Sequence, residues 1–358
     1  MNYNDILQHE PFSLGRAEKR KLLSEYLNQL TEFHYEHCEE YHRVLDFLGY
    51  DKSRAYELED QIFIPIRLFK ELELKSIETQ AVFKVMTSSG TTGQKTSKIY
   101  LDRENALNQQ KTLVKIMSDF LEAGRLPMII IDTERVVRDA NFFSARKAGI
   151  LGFSLFASDK MYALDDEMNL KVDEVERFLE KHKGRSVFLF GYTYIIWQYF
   201  YETLKNSGRR LDLSAGRLLH GGGWKKLQNL NLSDRDFRDA LKSQCNIDTA
   251  ADYYGMVEQT GTIYMSCEYG HMHTSTYSDI IVRNRRDFSA CSVGEKGIIQ
   301  LISLIPSAYP GHNILTEDEG VILGEDDCPC GRKGKYFRVL GRLQNAEVRG
   351  CSDTYERK

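Results

Sequence analysis

The stretch Met86 to Leu101, MTSSGTTGQKTSKIYL, restricts what this chain can fold into more than any other. An apolar run (Ala81, Val82, Phe83, Val85) precedes it and the alternating Ile99 and Leu101 close it, so the pattern predicts a loop held between two strands. Gly90 and Gly93 reach backbone conformations that other residues resist, and without a Cβ they let main-chain N–H groups approach a ligand closely. Ser88, Ser89, Thr91 and Thr92 add hydroxyl donors, and Lys95 and Lys98 add positive charge. Phosphate is the natural guest of such a loop; a plain polar hairpin turn is the other reading. A Walker-type P-loop is excluded, because only two residues separate Gly90 from Gly93.

The 358 residues suffice for one large or two ordinary domains with a substantial core. A net charge of −4 with interspersed signs gives no reason to expect nucleic acid as a partner. The longest apolar stretch, Val187 to Phe200, is too short to span a bilayer and is interrupted by Gly191, Thr193 and Gln198. The opening residues lack the basic and apolar regions of a signal peptide, so the expected location is the cytoplasm. Seven cysteines, an odd number, argue against a disulfide framework and towards ligands or nucleophiles.

Taken in order, Glu18 to Leu48 has helical spacing without Pro or interior Gly. His34, His37, Cys38 and His42 fall on that helix, and a solvated amphipathic face explains them better than a metal does. Glu104 to Ala123 and Val172 to Lys183 are predicted helices; Pro127 to Asp132, Ile150 to Phe156 and Ser186 to Phe190 are predicted strands. Alternating strands and helices imply an α/β fold with a largely parallel sheet. The aromatic helix Tyr192 to Leu204 is either core packing or the wall of an apolar pocket.

In RLLHGGGWKK, Gly221, Gly222 and Gly223 follow a short apolar strand, which implies either close backbone approach or a plain turn. Cys267 and His273, followed by Cys328 and Cys330, have the ligand types of a closed tetrahedral zinc site; reduced buried thiols are the alternative. His273 is preferred to His271 as the imidazole ligand.

Ser-Ser-Gly-Thr-Thr-Gly resembles the phosphate-loop signature of the adenylate-forming superfamily of acyl-CoA synthetases and luciferases, with Lys95 where that signature has Pro and Thr96 where it has Lys. The resemblance implies an ATP-binding set of Ser88, Ser89, Gly90, Thr91, Thr92 and Gly93, with Lys95 catalytic. It places adenine against Gly221 to Gly223. The segment ADYYGMVEQT resembles that superfamily's motif in which an aromatic residue stacks on adenine and a glutamate holds Mg²⁺. That implies Tyr253, Tyr254 and Gly255 for the base and Glu258 for the metal, a carboxylate that suits a hard ion. Val257 replaces the motif's threonine, leaving Thr260 or Gln259 as substitutes. Asp318, in a segment similar to the superfamily's ribose-binding stretch, and Arg342, in its hinge-like motif, are implied for the ribose or phosphates. The Cys/His set resembles a zinc site of the phenylacetate-CoA-ligase branch.

The chain ends sixteen residues after Arg342, where superfamily members continue into a mobile C-terminal domain. The expected fold is therefore the α/β large N-terminal domain alone: a helical lead-in over 1–80, an AMP-binding domain over 81–350, and a tail over 351–358. Cys351 lies in that tail, and Arg349 nearby favours its thiolate. From Ile64-Pro65-Ile66-Arg67 to Arg349-Gly350-Cys351, the chain resembles the acyl-protein synthetase component of bacterial fatty-acid reductases, the LuxE family. The resemblance implies that ATP activates a fatty acid as acyl-AMP, that Cys351 accepts the acyl group as a thioester, and that an acyl reductase is the partner. Two rivals stand beside it: a ligase that passes the acyl group to coenzyme A or a carrier protein, and a nucleotide-binding scaffold without catalysis.

Overall fold

The computed structural model describes residues 3–88, 95–138, 144–223 and 232–343. These form two compact units. One gathers the residues up to Asp119, Gly255–Met265 and the chain from His271; the other gathers Phe120–Tyr254 with Ser266–Gly270.

The second unit is the parallel part of the α/β fold. Its strands run in the order Thr249–Tyr254, Gly216–Gly221, Val187–Tyr192, Leu126–Thr133 and Ala157–Leu164, each neighbour parallel. Every residue of Leu126–Thr133 and of Val187–Tyr192 is buried, as a parallel strand covered on both faces requires. Helix Val172–Lys181 lays Val175 and Phe178 on this sheet, and Asp234–Cys245 adds Phe237, Leu241 and Cys245. The latter helix begins in a capping box in which Ser233 and Asp236 satisfy each other's backbone N–H.

Two expectations change here, and one pair of alternatives is decided. Ile150 to Phe156 is not a strand: Ala145–Phe153 is helical, started by the Ser144 hydroxyl, which accepts from the Lys147 N–H at 3.1 Å. An apolar run of that length does not distinguish a buried helix from a strand by period alone. The aromatic helix contains a π turn, Ile196–Tyr201, and its Trp197 and Phe200 are in the core. The sheet is largely parallel only in this unit; in the first unit the short strand Ile64–Pro65 pairs in parallel with Ile314–Leu315. In the first unit the order Ser278–Arg283, Lys296–Ser303, Asn313–Glu325, Lys335–Arg342, Met272–His273 is antiparallel throughout.

A buried ion pair fixes helix Ala145–Phe153. Arg146 Nε donates to Asp132 Oδ2 at 2.5 Å, and its Nη2 donates to the other carboxylate oxygen. The Asp132 carboxyl is raised by burial, against the pull of Arg146.

In the first unit the long N-terminal helix breaks. Arg16–His37 ends at Cys38, whose extended backbone starts Glu39–Phe47. His34 and Cys38 are not on a solvated face: both are buried. His34 Nδ1 meets Ser76 Oγ at 2.8 Å, Nε2 lies 3.1 Å from the Pro306 carbonyl, and the ring stacks 5.0 Å from that of His312. Cys38, Tyr41 and Leu45 pack into one core with Ile64, Ile66, Phe69, Ile99 and Leu101.

Candidate active site

Lys84–Thr87 and Lys98–Leu101 form the expected two-stranded frame, antiparallel from Lys84 opposite Leu101 to Thr87 opposite Lys98. Ile99 and Leu101 face the core, so the period of two puts Ser97 on the same inward face. Ser88 closes the base of the frame: its N–H donates to the Ser97 carbonyl at 3.1 Å and its hydroxyl accepts from the Ser97 N–H at 2.9 Å. Ser89, Gly90, Thr91, Thr92 and Gly93 lie outside the described residues. Lys95 is exposed and pairs with Glu71 at 2.5 Å.

Glu258 sits in the short 3₁₀ turn Val257–Gln259 with no exposed surface. Ser97 Oγ donates to its Oε1 at 2.6 Å, and Tyr309 Oη donates to its carbonyl at 2.8 Å. A buried carboxylate is thus set by a donor from the strand that leaves the Gly/Ser/Thr loop. Both substitute positions already donate to main-chain carbonyls. Thr260 Oγ1 donates to Val257 O at 2.9 Å, and Gln259 Nε2 donates to Leu301 O and Gly311 O.

Asp318 and Arg342 are brought together. They are opposite each other across two antiparallel strands, with Arg342 Nε 3.6 Å from Asp318 Oδ1. Glu317 is gripped on one side by Arg67 at 3.3 Å.

In the second unit Gly221 ends its strand directly opposite Tyr253 on the next. A Cβ at Gly221 would lie 2.7 Å from Tyr253 Cε1, and one at Gly222 would lie 2.7 Å from Tyr192 Cδ1. The close approach inferred from the glycine run is therefore made at these two positions by tyrosine rings of the chain itself. Gly223, at φ +62°, has none of the described residues within 4 Å of its Cβ position, unlike Gly221 and Gly222. Tyr253 is half-buried and meets Phe153 edge-on at 5.2 Å. Thr193 Oγ1 donates to Gly221 O at 3.1 Å and therefore accepts from His220 Nδ1 at 2.9 Å. Burial lowers the His220 imidazole to about 4.

Cys267, His273, Cys328 and Cys330 converge: one ligand atom from each lies within 4.8 Å of the others. Among the described residues this is the cluster able to hold a metal. In a tetrahedral zinc thiolate the sulfur–sulfur edge is about 3.8 Å, so this donor set fits a closed structural site with little movement. His273 is buried, its Nε2 is 3.3 Å from Cys330 Sγ, and its Nδ1 has no hydrogen-bond partner. Burial, then Arg332, holds its imidazole at about 3, so it is the neutral form that can ligate. His271 Nδ1 is 3.3 Å from Cys328 Sγ, at the edge of the group.

Ser97, Tyr309 and Tyr192 were not singled out from the sequence. The inward phase of Ser97 with Ile99 and Leu101 was the available signal. Cys351, Arg349 and Trp224 lie outside the described residues.

No helix among the described residues is long and apolar enough to cross a membrane. The chain is similar to solved adenylate-forming ligases. One, an open conformation of 2-hydroxyisobutyryl-CoA ligase in complex with 2-HIB-AMP and CoA, superposes with a TM-score of 0.70 at 15% identity, over 94% of this chain and 78% of that one. The same ligase in its thioesterification state gives 0.71 at 15%, over 94% and 71%. The fold is thus that of the adenylate-forming N-terminal domain. Curated relatives are the long-chain-fatty-acid–luciferin-component ligases of Aliivibrio fischeri, 22% identical over 97% of this chain and 91% of the relative, and of Vibrio harveyi, 19% identical over 97% and 90%. The model of the family "Acyl-protein synthetase, LuxE" matches residues 2–358, so the chain belongs to the LuxE acyl-protein synthetase family.

Proposed function

We propose that this chain activates a long-chain fatty acid with ATP and transfers the acyl group to its own Cys351, for delivery to an acyl reductase. The observation that carries the reading is the Ser97–Glu258 pair at the base of the Gly/Ser/Thr loop, in a chain whose relatives are named fatty-acid ligases.

In the first step a carboxylate oxygen of the acid attacks the α-phosphorus of ATP; the bond to the bridging oxygen breaks and pyrophosphate leaves. The loop over Ser88 to Gly93 supplies N–H and hydroxyl donors to the phosphates, and Lys95 would have to leave Glu71 to join them. Glu258 is the residue that would hold Mg²⁺, which supplies charge neutralisation at the phosphates when bound. Ser97 holds its Oε1 in place. Tyr253, Tyr254 and Gly255, with Gly221, Gly222 and Gly223, receive the base, and Asp318 and Arg342 take the ribose. In the second step the Cys351 thiolate attacks the acyl carbonyl carbon, a thioester forms and AMP leaves. Cys267, His273, Cys328 and Cys330 would hold a structural Zn²⁺.

The test is the intact mass of the protein after incubation with Mg-ATP and fatty acids of graded length, beside Cys351→Ser. A gain of one acyl group, removed by neutral hydroxylamine and absent in the variant, is expected. Acid-dependent exchange of pyrophosphate into ATP with no mass gain would move the acceptor to an external thiol such as coenzyme A. Absence of both signals would sink the ligase reading and leave a nucleotide-binding scaffold.

A further inference from the structure

The proposed base-binding elements carry an internal steric device that no motif discloses. Gly149 lies on helix Ala145–Phe153, and a Cβ there would stand 2.6 Å from Tyr192 Oη, 3.3 Å from Phe190 Cζ and 3.5 Å from Tyr253 Oη. Two tyrosine hydroxyls therefore converge on one missing methyl group.

None of the surrounding parts can yield easily. Tyr192 is only 3% exposed, so its ring cannot swing into solvent. Its opposite edge already fills the Cβ position of Gly222, and its backbone is paired with Gly221 across the sheet. The helix is held too, because Arg146, one turn before Gly149, is locked by two hydrogen bonds to Asp132 on the adjoining strand. Tyr253 in turn fills the Cβ position of Gly221. Interiors packed this closely transmit a displacement rather than absorb it.

We propose that Gly149 is a positioning residue for ATP binding: by admitting the hydroxyls of Tyr192 and Tyr253 it sets the Tyr253 ring and the Gly221–Gly222 turn in the arrangement that receives adenine. The inference rests on the reading of Tyr253 as the residue that faces the base. A methyl group at 149 meets Tyr192 Oη first. The ring already fills the Cβ position of Gly222, so the strain passes to the turn, while the Tyr253 hydroxyl loses its place against the helix.

The test compares Gly149→Ala, Tyr192→Phe and the double variant in the full-length protein, reading the ATP dissociation constant by calorimetry and the rate of pyrophosphate exchange at saturating ATP. Gly149→Ala is expected to weaken ATP binding roughly tenfold, the size of a partly lost base–aromatic stack, with a much smaller change in the saturated rate. Gly149→Ala with Tyr192→Phe removes the 2.6 Å contact and should return binding to the value of Tyr192→Phe alone. Native ATP binding by Gly149→Ala, or a double variant as weak as it, overturns the proposal. Should Gly149→Ala not fold, the double variant decides: it must fold and bind ATP like Tyr192→Phe, and its failure to do so overturns the proposal as well. Tyr253→Ala separates this from the underlying reading, because unchanged ATP binding there removes Tyr253 from the base site whatever Gly149 does.

Discussion

Ser97 and Glu258 stand 161 residues apart in the chain and meet at 2.6 Å, hydroxyl to carboxylate, with no exposed surface on either. Hydrogen bonds to a charged group are strong and costly to lose in a dry setting, and a donor that orients a metal ligand sets how well it holds the ion. Ser97→Ala should therefore raise the Mg²⁺ concentration for half-maximal pyrophosphate exchange roughly tenfold, with the fold intact by circular dichroism. Glu258→Gln keeps the shape and should lower exchange by about a hundredfold or more. An unchanged Mg²⁺ dependence in Ser97→Ala would deny Glu258 the metal.

The cysteine cluster makes a second prediction. The protein purified without chelator should carry one zinc per chain by atomic emission, and Cys328→Ser and Cys330→Ser should each lose it. Because structural zinc contributes directly to folding, both variants should melt at least roughly 5 °C below the parent. Full metal content in Cys330→Ser would remove that thiol from the ligand set.

Gly221, which lies against Tyr253, should respond differently from Gly223. Gly221→Ala places a methyl group 2.7 Å from the Tyr253 ring and should cost about 1–3 kcal/mol by overpacking. Gly223→Ala meets none of the described residues, and its left-handed backbone at φ +62° opposes it at about 1 kcal/mol. Urea unfolding of the two variants checks the order.

The buried histidines predict acid sensitivity. Burial lowers the His34 imidazole to about 3 and the His220 imidazole to about 4, and drives His312 down as well, where the unfolded chain titrates near 6.5. Between those values the unfolded chain binds more protons than the native one, so the stability these residues contribute is complete above about pH 6.5 and is lost as pH falls. Each adds about 1.4 kcal/mol per pH unit to that slope inside its window. Urea midpoints measured from pH 7 to 5 should fall accordingly, and His34→Gln should flatten the curve while lowering it overall.

Much of this was open to sequence reading where chemistry is local. The hairpin frame and the four zinc-type ligands could be picked out by residue type and spacing, and Glu258 by the resemblance of its segment to a known motif. The misreadings arose where packing overrides local pattern. Ile150 to Phe156 has an apolar run that suits either element, and the Ser144 cap decides for helix. His34 and Cys38 share a periodicity with exposed His37, but residues distant in the chain cover them, Ser76, Pro306 and His312 around His34 and the core of Ile64 and Phe69 around Cys38. The glycine run announced a close approach without saying that Tyr192 and Tyr253 make it, since both rings arrive from other strands. The Asp318–Arg342 pair needed the cross-strand register, which no single sequence states.

The frame around Met86 to Leu101 also bears on how the loop can vary. Thr87 opposite Lys98 is the last rung, and Ile99 and Leu101 are sealed in the core below it, so a slip of one residue would throw both into solvent. The ladder is anchored from beneath, independently of what lies above Ser88 and Ser97. Exchanges such as Lys95 and Thr96 for the usual proline and lysine can thus accumulate in the span without altering where its two ends emerge. A graft that swaps residues 89–94 for the corresponding stretch of a relative would inherit the same footing, making this loop a replaceable part on a fixed mount.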